Sequence, residues 1–383
     1  MVYFDNAATT WPKPEAVYQA VDYCMRKQGA NPGRSGHHMA LAAGQIIMEA
    51  RDLIAKLFNI PEPSQVIFTL NATEALNLGI KGLLKPGDHV ITSSLEHNAV
   101  ARPLETLRSQ GIEVSKLSTS VSNGVQPAQV EAAIKENTKL VIINHASNVT
   151  GAINPIREIG EVTRARNLLF LVDSAQTAGS FPIDVQAMGI DLLAFAGHKG
   201  LMGPQGVGGL YLRKDLRLTP LKEGGTGTNS ESLFQPETSP ERYESGTLNT
   251  PGIAGLASGI KFILQEGIER IKEKERILTE RLLKGLEAIP GVSVYGPSLG
   301  IERAPVISFN IEGMEPSEVS FILDQSFEIA SRPGLHCAPD AHESIGTLSK
   351  QGTVRFSLGY FNTIGEVDFC LEAIAGIAEE SKF

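Results

Sequence analysis

Between residues 65 and 213, short apolar runs alternate with stretches of helical periodicity. The runs are VIFTL (66–70), HVITSS (89–94), LVIINHA (140–146), LLFLVDSA (168–175), LLAFAGHK (192–199) and GGLYLRK (208–214). Runs of this length, rich in Val, Ile and Leu without strict alternation, suit strands covered on both faces. The helical stretches between them predict βαβ units and a largely parallel sheet. Such a sheet carries its ligand site at the carboxyl ends of its strands. Beyond about residue 255 the pattern changes. GIERIKEKERILTERLLKGLEAIPG (267–291) predicts a long amphipathic helix that stops before Pro290, with KEKER (272–276) on its solvated face. APVISFNI (304–311) and TVRFSLG (353–359) predict further strands, and a last helix opens at Thr363 with Glu366 in the capping-box position. No repeat or Gly/Ser linker separates the two textures, so the boundary near 255 is soft.

A chain of 383 residues can hold two or three domains and a large core. Its 42% hydrophobic and 20% charged residues exclude wholesale disorder. A net charge of −9 lacks the electrostatic footprint of a nucleic-acid or anionic-membrane binder. No 18 apolar residues run together, so no spanning helix is expected. The opening MVYFDNAATTWPKPE has no basic stretch followed by an apolar one, so no secretory signal is expected either. Three cysteines, Cys24, Cys337 and Cys370, are too few for a disulfide framework or a multi-cysteine metal site. A reducing, cytoplasmic setting with free thiols and no bound metal follows as the expectation. Glycine, at 38 residues, exceeds the usual share of about 7% and points to tight turns and close backbone approaches.

Three strand exits carry candidate chemistry. After VIFTL, Asn71 can cap a helix with Glu74 three residues on, leaving the N–H groups of Ala72 and Thr73 and the Thr73 hydroxyl as a phosphate site. A merely well-capped helix would look the same. After LLFLV, Asp173 ends a buried strand, where a carboxylate needs a cation or several hydrogen bonds. A protonated ring nitrogen would serve; a helix cap is the plainer alternative. After LLAFA, Lys199 sits in AGHKG, where burial lowers an amine's pKa as imine chemistry requires. The glycines that follow do not keep dinucleotide spacing. A phosphate cradle, a buried acid and a buried lysine on one sheet edge meet the needs of pyridoxal phosphate.

Cys24 lies on a helical stripe with Val17, Ala20, Val21 and Met25, and Cys370 lies with Val367, Leu371 and Ile374, so both read as core residues. Cys337 differs. Its context, SRPGLHCAPD (331–340), lacks periodicity and carries Arg332 and His336, which describes an accessible loop thiol in an electropositive setting.

On these residues the chain resembles the cysteine desulfurases, in the class V aminotransferase-like group of fold-type I pyridoxal-phosphate enzymes. The likeness runs from DNAATT (5–10) through NPGRSGHH (31–38), ATEALN (72–77), EHNA (96–99), SNVTGAINP (147–155), DSAQ (173–176), GHKG (197–200), GGTGTNS (224–230) and RYESGTLNT (242–250) to RPGLHCAP (332–339). The short cysteine segment is similar to the group II type, which includes selenocysteine lyases. The resemblance implies an α/β fold, with a large cofactor-binding domain over 16–255 built on a mainly parallel sheet. It also implies a smaller α+β domain, formed by 1–15 with 256–383, that carries the cysteine loop.

It further implies roles, position by position. Lys199 would form the Schiff base and Asp173 would hold the pyridine nitrogen protonated. His97 would stack on the ring, and Gln176 would bond its phenolic oxygen with Asn148 alongside. Ala72, Thr73 and His198 would hold the phosphate, and Thr247 would reach it from the second subunit of a homodimer. Arg355 would clamp the substrate carboxylate, with Ala7, Ala8 and Asn31 lining the pocket and Arg34 and Arg332 nearby. Ala196 stands where many relatives have serine, and Pro333 where threonine is usual; neither change removes a chemical role. The implied reaction takes L-cysteine to alanine and leaves a persulfide on Cys337 for an acceptor protein. Selenocysteine lyase or C–S lyase activity on the same scaffold, with L-selenocysteine as the other substrate, stays open, as does a non-catalytic persulfide carrier. Iron–sulfur cluster assembly, thiolation and selenium supply all remain possible destinations.

Overall fold

The computed structural model describes residues 1–32, 36–119 and 124–380. A short strand β1 (Val2–Tyr3) precedes seven strands of one sheet: β2 (Val66–Thr69), β3 (His89–Ser93), β4 (Glu113–Leu117), β5 (Thr138–Asn144), β6 (Leu169–Asp173), β7 (Leu192–Ala196) and β8 (Gly208–Leu212). Their spatial order is β2-β8-β7-β6-β5-β3-β4. Only β8 opposes its neighbours β2 and β7; the remaining pairings are parallel. All six predicted runs form strands. The sheet gains β4, whose sequence EVSKL is half polar and lies on the exposed edge, so it lacks the apolar run of the buried strands.

Alternate strand residues reach two different cores. Val141, Ile143, Phe170 and Val172 join Ile54, Phe58, Ile156, Leu256 and Ile260 on one face. Leu140, Ile142 and Leu171 join Leu76, Val100 and Leu104 on the other. Because both faces are covered by helices, the strands show continuous hydrophobicity rather than alternation. The boundary near 255 falls inside the helix Thr250–Glu266, whose Ile253, Leu256, Ile260 and Ile263 belong to the first of these cores. Gly267, at φ 83°, turns the chain into the helix Ile268–Ala288, which ends before Pro290.

The second layer holds β9 (Val292–Tyr295), β10 (Val306–Ile311), β11 (Ile329–Ala330), β12 (Arg332–Gly334) and β13 (Thr353–Ser357). Four of them form an antiparallel sheet in the order β12-β13-β10-β9, while β11 pairs with β1. Phe4, Leu282, Phe309, Phe356, Cys370 and Ile374 make its core, so the N-terminal residues pack with the C-terminal ones. The capping box at the last helix is present: Thr363 N–H donates to Glu366 Oε2 (2.8 Å) and Glu366 N–H to Thr363 Oγ1 (3.3 Å). No helix among the described residues is long and apolar enough to cross a membrane.

Candidate active site

Parallel strands deliver their exits to one edge, and there the structure gathers a cavity of about 300 Å³. Ala7, Ala8, Ala72, Thr73, His97, Asn148, Asp173, Gln176, His198, Lys199, Arg332, Cys337 and Arg355 all line it. Asn71 caps the helix Ala72–Leu83 by accepting from Glu74 N–H (2.9 Å), while Glu74 Oε2 accepts from Leu70 N–H (2.6 Å). The N–H groups of Ala72 and Thr73 find no acceptor among the described residues and face the helix mouth. β8 passes so close beneath that a Cβ on Gly208 would lie 2.7 Å from the Asn71 carbonyl carbon.

Asp173, buried at the end of β6, accepts from Ala175 N–H (2.9 Å). Burial raises its pKa, opposed by that hydrogen bond and by the Lys199 charge. Lys199 follows β7 in a tight turn closed by Met202 N–H on its own carbonyl (2.8 Å). Burial pulls its pKa down to about 8; Asp173 opposes the shift, while Arg355 and Arg332 add to it. Lys199 should therefore gain nucleophilicity up to about pH 8 and level off there, where an ordinary lysine keeps rising beyond pH 10. Reductive methylation of the cofactor-free protein, quantified at Lys199 by peptide mass spectrometry across pH, measures that midpoint.

His97 caps the helix Asn98–Arg108, its Nδ1 accepting from Ala99 N–H (3.0 Å). Burial, with Lys199 and Arg332, Arg355 and Arg102 adding, lowers its pKa to about 4. The ring is then neutral with its proton on Nε2, a donor rather than a base.

The second layer closes the cavity. Arg332 on β12 stands directly opposite Arg355 on β13, which puts both side chains on one face. Arg355 is buried; it donates to Asp5 Oδ1 (2.9 Å) and to the Asn148 carbonyl (3.1 Å), and its Nε has no partner among the described residues. Two of its five N–H groups are thus engaged, and the others can serve a carboxylate. Arg355→Lys keeps the charge but loses the planar fork, so the KM for an amino-acid substrate should rise roughly 10- to 100-fold with the fold intact. Steady-state kinetics with a thermal melt would check it.

Cys337 is exposed on the loop after β12, and both it and His336 adopt left-handed backbone conformations (φ 58° and 48°). Two donors from the other layer hold these strained peptides: Asn98 N–H to the Cys337 carbonyl (2.7 Å) and Asn148 Nδ2–H to the His336 carbonyl (2.7 Å). Cys24 and Cys370 are buried.

Asn31, expected in the pocket, lies elsewhere, and Thr247, assigned to the site of a second subunit, is away from this cavity. Asn31 and Thr247 line a separate groove with Met48, Arg51, Pro240 and Glu244. Asn31 is carried there because the preceding helix, Glu15–Lys27, packs on Thr250–Glu266 rather than over the cavity. Arg34 falls outside the described residues. Sequence reasoning assigned Asp5 and Glu96 no role of their own, and it counted His336 in the electropositive setting of Cys337; His336 is instead buried, which holds its pKa well below the ordinary imidazole value, so it adds no charge there. Glu96 Oε1 accepts from Ser93 Oγ–H (2.6 Å) and Asn144 N–H (3.1 Å), its Oε2 has no partner, and burial pushes its pKa up to about 8. Its adjacency to His97 at a strand exit was the available signal.

Several polar atoms in the cavity wall are left for a ligand. Among the described residues, His198 Nδ1 and Asn148 Oδ1 are buried without partners, the Ala72 and Thr73 N–H groups are free, and the Asp173 carboxylate lacks a hydrogen-bonded cation. Burial, with Lys199 and Lys13 nearby, lowers the His198 pKa to about 4, so its ring is neutral and can donate. A phosphate at the helix mouth would satisfy the Ala72 and Thr73 N–H groups and a donating His198, and a protonated ring nitrogen would satisfy Asp173, so these residues fit pyridoxal phosphate.

The family described as aminotransferase class V matches residues 2–369, and the chain belongs to that family. A probable cysteine desulfurase of Methanothermobacter thermautotrophicus is 37% identical over 98% of this chain and 95% of its own. A Dictyoglomus turgidum protein named cysteine desulfurase IscS is 32% identical over 99% and 95%. The apo structure of a cysteine desulfurase from Thermococcus onnurineus superposes with a TM-score of 0.93 at 34% identity, covering 99% of this chain and 95% of that one. Within the class V family, the chain groups with the cysteine desulfurases.

Proposed function

We propose that this protein converts L-cysteine to L-alanine and takes the sulfur as a persulfide on Cys337 for transfer to an acceptor protein. The observation that carries the reading is a single cavity lined by Lys199 and Asp173 from one layer and by Cys337 and Arg355 from the other. Bound pyridoxal phosphate supplies an electron sink that stabilises negative charge at the substrate's α-carbon. Ala72, Thr73 and His198 would hold its phosphate and Asp173 its ring nitrogen, and Gln176 and Asn148 would serve its phenolic oxygen. Arg355 binds the substrate carboxylate through its remaining N–H groups. The neutral Lys199 amine takes the α-proton, which its lowered pKa makes feasible near neutrality. The Cys337 thiolate attacks the substrate sulfur: an S–S bond forms, the C–S bond breaks, and its electron pair stays on the β-carbon. That carbon is then protonated to the methyl group of alanine.

Thr247, remote from its own cavity, fits a role at the site of a second copy, and we infer a homodimer with shared sites. Three free thiols fit a reducing cytoplasm. Alanine release from L-cysteine and from L-selenocysteine, with and without candidate acceptor proteins, tests the reading. Alanine from L-cysteine, accelerated by a thiol acceptor, is expected; alanine from neither substrate overturns it. Release from L-selenocysteine alone would move the reading to selenocysteine lyase.

A further inference from the structure

We propose that Lys13 is a positioning residue for Lys199, holding the carbonyl of the His198–Lys199 peptide so that the Lys199 amine stays sunk in the cavity. Three donors from one short segment converge on that oxygen. Lys13 Nζ–H donates at 2.7 Å, Thr9 Oγ1–H at 3.1 Å and Thr10 N–H at 3.1 Å. A carbonyl oxygen has two lone pairs, so a third donor exceeds its ordinary demand, and the charged donor makes the shortest of the three bonds. Lys13 is mostly buried and forms no ion pair among the described residues, and burial lowers its pKa to about 8. A lysine kept for solubility would not be desolvated against a neutral carbonyl.

The other end of the segment is tied to the second layer. Asp5 holds Arg355, Asn6 Nδ2–H donates to the Ser357 carbonyl (3.0 Å) and to Asn362 Oδ1 (3.1 Å), and Ala7 N–H donates to Ser357 Oγ (2.8 Å). Between them, Gln176 Nε2–H donates to the Ala7 carbonyl (3.2 Å). One strap, residues 5–13, therefore joins the arginine that takes the substrate carboxylate to the peptide that carries the lysine. Slack at Lys13 would let Lys199 tilt out of its cavity while leaving Arg355 with Asp5. Binding should survive and the chemical step should suffer.

The inference rests on the proposed reaction only for the meaning of kcat; the Lys199 titration is independent of it. The experiment compares Lys13→Met and Lys13→Arg with the parent, as holoenzyme for kinetics and as the full chain freed of cofactor for the methylation midpoint of Lys199. In K13M the Lys199 midpoint should move up from about 8 toward the ordinary lysine value. Its kcat should fall tenfold to a hundredfold, about what a small misplacement of a catalytic group costs, with little change in KM. K13R, which keeps charge and donor, should return both within a few-fold of the parent. A K13M protein with the parental Lys199 midpoint and kcat overturns the proposal. If K13M does not fold, Thr9→Val carries the decision: it should shift the midpoint the same way by less, and an unmoved midpoint overturns the proposal. A parent that releases no alanine removes the desulfurase reading, while the midpoint in K13M still decides the role of Lys13.

Discussion

Cys337→Ala should retain the absorbance of bound pyridoxal phosphate and lose alanine and persulfide formation from L-cysteine by on the order of 10³-fold or more. The loss cannot be charged to unfolding. Cys337 is exposed, its side chain joins none of the three main cores, and its backbone is held through its carbonyl by Asn98, a contact alanine keeps. Removing such a side chain shifts stability within about 0.5 kcal/mol. What disappears is the one thiol on the cavity wall among the described residues, and with it the atom proposed to take the substrate sulfur. Sulfide made from L-cysteine at the parental rate would show that the C–S bond breaks without Cys337. Alanine formation that persists with L-selenocysteine alone would instead mark selenium as the natural cargo, since selenium departs more readily.

Lys199→Ala and Lys199→Arg should both abolish covalent capture of the cofactor and reduce turnover by on the order of 10³-fold or more. The pair separates charge from amine chemistry. Arginine restores a cation beside Asp173 and adds donors, yet its guanidinium does not give up its proton near neutral pH. It can neither form an imine nor accept the α-proton. Lysine at this position can do both because burial places its pKa near 8, so a useful fraction is neutral. Borohydride reduction followed by peptide mass spectrometry should find the pyridoxyl adduct on Lys199 in the parent and nowhere in either variant. A parent in which no adduct can be trapped would favour a persulfide carrier that binds no cofactor.

Much of the large layer was legible because its signals are local. Each buried strand announced itself as a short apolar run, and each chemical residue sat where such a run stopped: Thr73 after β2, His97 after β3, Asp173 at the end of β6, Lys199 after β7. The polar edge strand β4 lacked that signal and was missed. The direction of β8 was hidden too, because a strand buried on both faces has the same composition whichever way it runs.

The cysteine loop divides the same way. Proline, glycine and broken periodicity around Cys337 marked it as an accessible thiol, and it is exposed. The consecutive left-handed residues His336 and Cys337 depend on Asn98 and Asn148 from the other layer, and nothing near position 337 encodes those donors.

By itself, then, the sequence determined the strand exits, the separation of two core thiols from one exposed one, and the likeness to a pyridoxal-phosphate family. Those features follow from hydrophobic periodicity and local turn chemistry, which neighbouring residues specify among themselves. Only the tertiary structure decided that Cys337 and Lys199 share a wall, that Arg355 is braced by Asp5, that Lys13 grips the His198 carbonyl, and that Asn31 and Thr247 face a different groove. Periodicity states which face of an element is buried. What lies across that face depends on how two layers pack, and long-range packing is a property of the whole chain.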